Sequence, residues 1–276
     1  MTGLGVLVRV RLRTRWKAAL VWVVAVVGSL VGTAVSVASL YDTPEKLRSY
    51  AEAVVGDALV AINGRVEGIG TLGGVVQDEF SFVAALALPL LGVSLVTAAT
   101  RREEESGRLE LLLAGRLDRR APVAAALVVA VGAVVLVVVG SAAGMALAGI
   151  PAGRASLYAA SLGALALVFA CLAGLLAQLV LHARTVWAVS LGVLAVAYVL
   201  RGVGDVRGWW LAWLSPLTWV ERSAPFGEPR WWVLAVPLGV SAALAGATGL
   251  VARRRDLGAA LLRGGPGPAR APAPLR

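Results

Sequence analysis

The stretch Pro122-VAAALVVAVGAVVLVVVGSAAGMALAGI-Pro151 contains no charged residue. As a helix it would extend about 45 Å, more than the roughly 30 Å hydrocarbon core of a bilayer, so it is long enough to cross with tilt. Five further uncharged blocks surround it: residues 18–40, 80–100, 156–181, 185–200 and 231–252. They are continuous runs rather than amphipathic stripes, which is how lipid-facing helices read. The composition agrees: 59% of the 276 residues are hydrophobic and only 15% charged, with a mean hydropathy of +0.82. A soluble domain of this size carries about a quarter charged residues. The expected fold is therefore an all-α integral membrane protein of six transmembrane helices.

Basic residues set the expected orientation. With six crossings, residues 1–17, the segment 101–120, Arg184 and the region after Ala252 share one side and hold 18 of the 26 lysines and arginines. The positive-inside rule puts that side, with both termini, in the cytoplasm. The same clustering at the ends of apolar blocks assigns the net charge of +10 to topology and lipid headgroups rather than nucleic acid. Residues after Lys17 run too far without charge for a cleavable signal.

Between the blocks, Thr43-Pro44-Glu45 reads as a helix start, opening a short surface helix that ends where Asn63-Gly64 turns the chain. Residues 201–230 carry Trp209, Trp210, Trp213 and Trp219, an aromatic content suited to the headgroup level. The tail 253–276 is basic and Pro/Gly-rich. In the loop after the second block, Thr100 with Glu103 fits a capping box and Glu104 with Arg108 an i,i+4 pair, within a short amphipathic helix over about 101–114.

The chemistry is bounded by what is scarce. Neither lysine, Lys17 nor Lys46, follows a glycine, so a phosphate-binding P-loop is excluded. His182 is the one histidine, which excludes HExxH metal sites. A Ser–His pair built on His182 stays open, but a helix-end position beside Arg184 fits an interfacial side chain better. Cys171 lies in an apolar block with no second cysteine to pair with. The six blocks contain no Asp, Glu, Lys, Arg or His, which argues against a pump or antiporter that works alone. No catalytic residue, metal ligand or cofactor of this chain's own is expected.

The stretch Arg102-Glu-Glu-Glu-Ser-Gly-Arg-Leu-Glu-Leu-Leu-Leu-Ala114 resembles the E-E-x-x-G-x-x-E-x-L-L segment of ABC-2-type transporter permeases. A second set is similar to the polyketide-antibiotic exporters of high-GC bacteria. It comprises Ser215-Pro-Leu-Thr-Trp-Val-Glu221, Pro225-Phe-Gly-Glu-Pro-Arg-Trp-Trp232, Arg254-Arg-Asp-Leu-Gly258 and Gly265-Pro-Gly-Pro-Ala-Arg270. The resemblance implies a permease of the type V exporter kind in a bacterial inner membrane, driven by a dimeric ATPase that carries the ATP and Mg. It assigns Glu104, Glu105, Gly107, Arg108 and Glu110 to coupling with that ATPase, and Leu4–Lys17 to an interfacial helix before the first span. For 201–230 it suggests an extracytoplasmic cap in which Pro216, Trp219 and Pro225 shape an outer gate; a plain aromatic belt is the other reading. Relatives of this type carry two six-helix halves, and no second Glu-Glu-x-x-Gly pattern is present here, so a second half, identical or paralogous, is the expected partner. Hydrophobic or amphipathic compounds, antibiotics or lipids among them, are the implied cargo. The competing reading is a non-transporting, lipid-associated scaffold.

Overall fold

A computed structural model describes residues 3–54, 56–106 and 118–254. The described chain is built from helices: α1 (Leu4–Leu40), α2 (Pro44–Ala53), α3 (Asp57–Asn63), α4 (Leu72–Ala99), α5 (Arg101–Glu105), α6 (Ala121–Leu147), α7 (Ala152–Leu179), α8 (Ala183–Arg207), α9 (Pro216–Arg222) and α10 (Ala235–Arg254). Short 3-10 turns cover Trp210–Leu214 and Trp231–Leu234. Six of the helical stretches are long and apolar enough to cross a membrane, as the six uncharged blocks predict.

Helix α7 is the axis. Of its most apolar window, 78% is buried inside the protein, against 17% for α1, so α7 is packed by protein on most sides and α1 is left to the surrounding medium. Helices α4, α6 and α10 pack along α7, and α1 lies against α6 and α4. Small residues permit the closest crossing. At Gly92 of α4 an added Cβ would strike the Ala166 carbonyl and the Ala170 backbone of α7, and glycine is the residue that lets two backbones approach this closely. Leu88 and Leu91 flank that crossing, fully buried, with Phe169 of α7 also in the core. Gly140 and Gly144 of α6 face Val27 and Val31 of α1.

Several local expectations change. Leu4–Lys17 continues into the first uncharged block without a break, although the arginines alternate there. Arg11 is buried, and Arg9 and Arg13 are exposed. Two short helices, not one, lie between α1 and α4. The Thr43 side chain accepts from Lys46 N at 3.4 Å, with Pro44 in the first turn, as the sequence predicts. Helices α4 and α8 extend beyond their uncharged blocks. At about 42 Å, the 28 residues of α4 exceed the hydrocarbon thickness. The extensions bring Asp78 and Glu79 onto α4 and Arg201 and Asp205 onto α8.

Candidate functional site

Charged side chains gather at the two ends of the bundle. At the end that carries the N-terminus, three consecutive glutamates reach in three directions. The Glu103 carboxylate lies 3.2 Å from Arg15 and 4.0 Å from Arg11 of α1. Arg11 in turn donates to the Pro122 carbonyl of α6 at 2.5 Å. Glu104 pairs at 2.5 Å with Arg101, whose Nε donates to the Ala177 carbonyl at the end of α7 at 2.7 Å. Glu105 accepts from the Ala183 backbone N–H at 2.8 Å, the start of α8, with His182 Nδ1 at 3.6 Å. An anion at a helix start satisfies an otherwise orphaned N–H and meets the positive end of the dipole. One five-residue helix thus ties α1, α7 and α8 together, and α1 is held in turn to α6 through Arg11. A cavity of about 480 Å³ opens beside it, lined by Val10, Arg11, Thr14, Arg15, Lys17 and Glu103 among others.

The expected Thr100–Glu103 capping box is not formed. Thr100 carries no side-chain cap and donates to the Val96 carbonyl at 2.7 Å, while Glu103 is drawn to the arginines of α1. Of the coupling residues expected from resemblance, Glu104 and Glu105 sit in this junction. Gly107, Arg108 and Glu110, and with them most of the 101–114 helix and the Glu104–Arg108 pair, lie outside the described residues, as does the tail beyond 254.

At the opposite end, residues 209–234 fold into a cap over α7, α8 and α10. Pro216 opens α9, and Ser215 both receives Leu217 N at 3.3 Å and donates to the Ala197 carbonyl at 2.7 Å. Trp219 is buried, its Nε1 donating to the Trp213 carbonyl at 2.8 Å; Trp213 stacks on Trp232 at 6.1 Å between centroids. Pro225 is buried at the turn after α9. Two of the three residues expected to shape an outer gate, Pro216 and Trp219, therefore lie on α9, and Pro225 follows it by three residues.

Beneath that element lies a buried ionic cluster. Arg201 approaches Glu221 at 3.4 Å and donates to the Ile62 carbonyl at 2.5 Å, as Tyr198 does at 2.7 Å. Arg222 reaches Asp205 at 3.4 Å, and Arg65 donates to the Asp205 carbonyl at 3.0 Å. Gly64, with φ +88°, lets the chain pass over the Glu221 carboxylate; a Cβ there would overlap it. Burial, then a hydrogen bond with Asp205, pushes the Glu221 carboxyl well above the usual range, against the pull of Arg201. Nearby, the Tyr50 hydroxyl donates to Asp78 at 2.7 Å and Glu79 at 2.8 Å. Burial, and those bonds after it, raise its pKa. Further out, Arg230 forms a two-pronged pair with Glu67 at 2.9 Å.

With this geometry in view, the likeness to known proteins is specific. The family model for the C-terminal domain of the multidrug efflux system permease Rv1217c matches residues 2–254. The chain belongs to this permease family. The multidrug efflux system permease protein Rv1217c of Mycobacterium tuberculosis (strain ATCC 25618 / H37Rv) is 33% identical over 236 residues, which cover 84% of this chain and 42% of that protein. The chain thus spans less than half the length of the curated relative it matches. As a member of this family it is an ABC-2-type permease domain and a multi-pass membrane protein.

In this permease the arrangement provides two charge junctions joined by one long helix bundle. Sequence reasoning missed Glu103, Arg101, Arg11 and Arg15 as a unit, because their partners are 76 to 111 residues apart in the chain. It also missed Arg201 with Asp205. Their spacing of four on one helix face was the available signal.

Proposed function

We propose that this chain is one permease half of an ATP-binding cassette exporter, moving hydrophobic or amphipathic compounds outward through a bacterial inner membrane. ATP and Mg bind a separate dimeric ATPase, which docks at the loop between α4 and α6. A second six-helix half, identical or paralogous, completes the path. The observation that carries this reading is the acidic run Glu103–Glu105, which ties that loop to α1, α7 and α8. A load applied to such a loop reaches these three long helices at once, as coupling through a contiguous network requires. Glu104 and Glu105 then act mainly by holding the loop, while Gly107, Arg108 and Glu110 meet the ATPase. The length of the relative, more than twice what is matched here, supports a second half. The excess of arginine and lysine on the N-terminal side supports a cytoplasmic position for the termini. Pro216, Trp219 and Pro225 then form the outer gate.

The test is affinity capture from native membranes, with mass spectrometry of the co-purifying proteins. An ATPase should accompany the chain and be lost, with transport, from the Glu104→Ala/Glu110→Ala double variant, while membrane insertion is retained. Unchanged export in that variant would remove the coupling role. Capture of no ATPase, under conditions that preserve other ABC complexes, would favour the lipid-associated scaffold.

A further inference from the structure

The cavity of about 480 Å³ beside α5 is cationic. Arg11, Thr14, Arg15 and Lys17 of α1 line it together with Glu103, so three cations share one carboxylate. Arg11 is only 3% exposed. Its Nη1 is committed to the Pro122 carbonyl, and the Glu103 carboxylate stands 4.0 Å away, beyond hydrogen-bond reach. Arg15 gives one nitrogen to Glu103. Lys17 is exposed and lies over the Trp16 ring at 5.9 Å, and among the described residues it meets no carboxylate. A buried guanidinium so weakly compensated calls for a further anion.

The depth of the cavity says which anion. Residues 18–40 of α1 are uncharged and extend about 34 Å, enough to fill the hydrocarbon core. Lys17 therefore sits at the edge of that core, and Arg11 lies about 9 Å further out, at headgroup level. Below the cavity, α1 offers a lane of small, exposed residues on one face: Ala18, Val21, Ala25, Gly28 and Gly32. A Cβ added at Gly28 or Gly32 would meet nothing. From Ala18 to Gly32 the lane runs about 21 Å, longer than the roughly 15 Å depth of one leaflet.

We propose that this cavity binds the phosphodiester of an anionic phospholipid, with one acyl chain lying along the small-residue lane of α1. Arg11, Arg15 and Lys17 hold the phosphate, as basic pockets among transmembrane helices hold acidic headgroups. The lane seats the chain by dispersion against a helix it can approach closely. Inorganic phosphate matches the cations but leaves the lane bare, and a second copy of α1 would cover the lane but bring no phosphate. Glu103 competes with the lipid for Arg15, so lipid and acidic run contend for the same cation. The site requires only that α1 cross the bilayer; it is independent of the cargo and of the ATPase.

Native mass spectrometry of the full chain, released from detergent after equilibration with dioleoyl phosphatidylglycerol or dioleoyl phosphatidylcholine, tests this. The wild type should retain phosphatidylglycerol and shed phosphatidylcholine. Arg15→Gln and Lys17→Gln should each lower that retention about fivefold, whereas Arg9→Gln, exposed on the far side of α1, should leave it unchanged. Glu103→Gln should raise it, a gain that a misfolded variant could not give. Gly28→Leu with Gly32→Leu should lower it by blocking the lane. The proposal is overturned if phosphatidylcholine is retained equally, or if Arg9→Gln acts as strongly as Lys17→Gln. Displacement of the lipid by millimolar inorganic phosphate would make this a free-phosphate site and overturn it. So would a lipid-free dimer that Gly28→Leu with Gly32→Leu disperses, since a second copy would then occupy the lane.

Discussion

The two ends of the bundle use the same residue types under different solvation. At the N-terminal end, Glu103 meets Arg11 and Arg15 of α1, Glu104 pairs with Arg101 of its own helix, and Glu105 accepts from the start of α8. Glu103 and Glu104 are each 13% exposed and Glu105 39%, so water shares in solvating them. At the cap end, Asp205 and Glu221 are almost wholly out of water, each with an arginine at 3.4 Å. Partly hydrated pairs exchange partners cheaply, whereas a buried cluster changes only as a unit. The first junction thus suits a part that is pushed repeatedly, and the second suits a part that stays shut until something releases it.

The sharpest way to break the contrast is Arg201→Ala. It leaves Glu221 buried without its cation and removes one of the two donors to the Ile62 carbonyl, and should cost about 3–5 kcal/mol, read as a fall in thermal midpoint. Arg201→Met with Glu221→Met should recover much of that loss, since replacing both members removes the stranded charge. Next comes Glu103→Ala, which strips Arg15 of its partner and weakens the setting of buried Arg11. We expect about 1–2 kcal/mol, together with reduced transport and an ATPase still captured. Glu105→Ala should cost about 1 kcal/mol by uncapping α8, whereas Glu105→Gln, which retains an acceptor for Ala183 N–H, should be close to neutral. Smallest is Lys46→Ala: its pair with Asp42 at 2.7 Å lies on the surface, and the midpoint should not move measurably. A Glu103→Ala effect as large as that of Arg201→Ala would erase the distinction between the two ends.

Much of this architecture is legible in the residues. Uncharged blocks locate all six long helices because lipid-facing segments must be apolar along their whole length, and Thr43-Pro44 announces α2 through purely local hydrogen bonding. The acidic run stands out in the sequence, and so does the segment bearing Pro216, Trp219 and Pro225. What escapes is the use each charge is put to. Spacing alone pairs Glu103 with Thr100, three residues away, because local spacing is all a sequence displays; its partners on α1 become neighbours only after α1 packs beside α4. The helix ends escape for a related reason. Asp78 and Arg201 lie outside the apolar blocks, yet α4 and α8 continue through them because Tyr50 and Asn63 bond Asp78, and Glu221 and the Ile62 carbonyl meet Arg201.

Helix α1 runs unbroken for 37 residues, about 55 Å from tip to tip. A rod of that length has leverage. Pivoting near one end, it carries the other through about 1 Å for each degree of tilt. Arg11 and Arg15 hold one tip to the acidic junction, and Tyr41, just past the other, rests edge-on against Tyr50, which bonds Asp78 and Glu79. A tilt of one degree would therefore displace that tyrosine contact by about 1 Å while Val27 and Val31, half-way along against Gly140 and Gly144 of α6, move about half as far, with α1 as the shaft between the two ends.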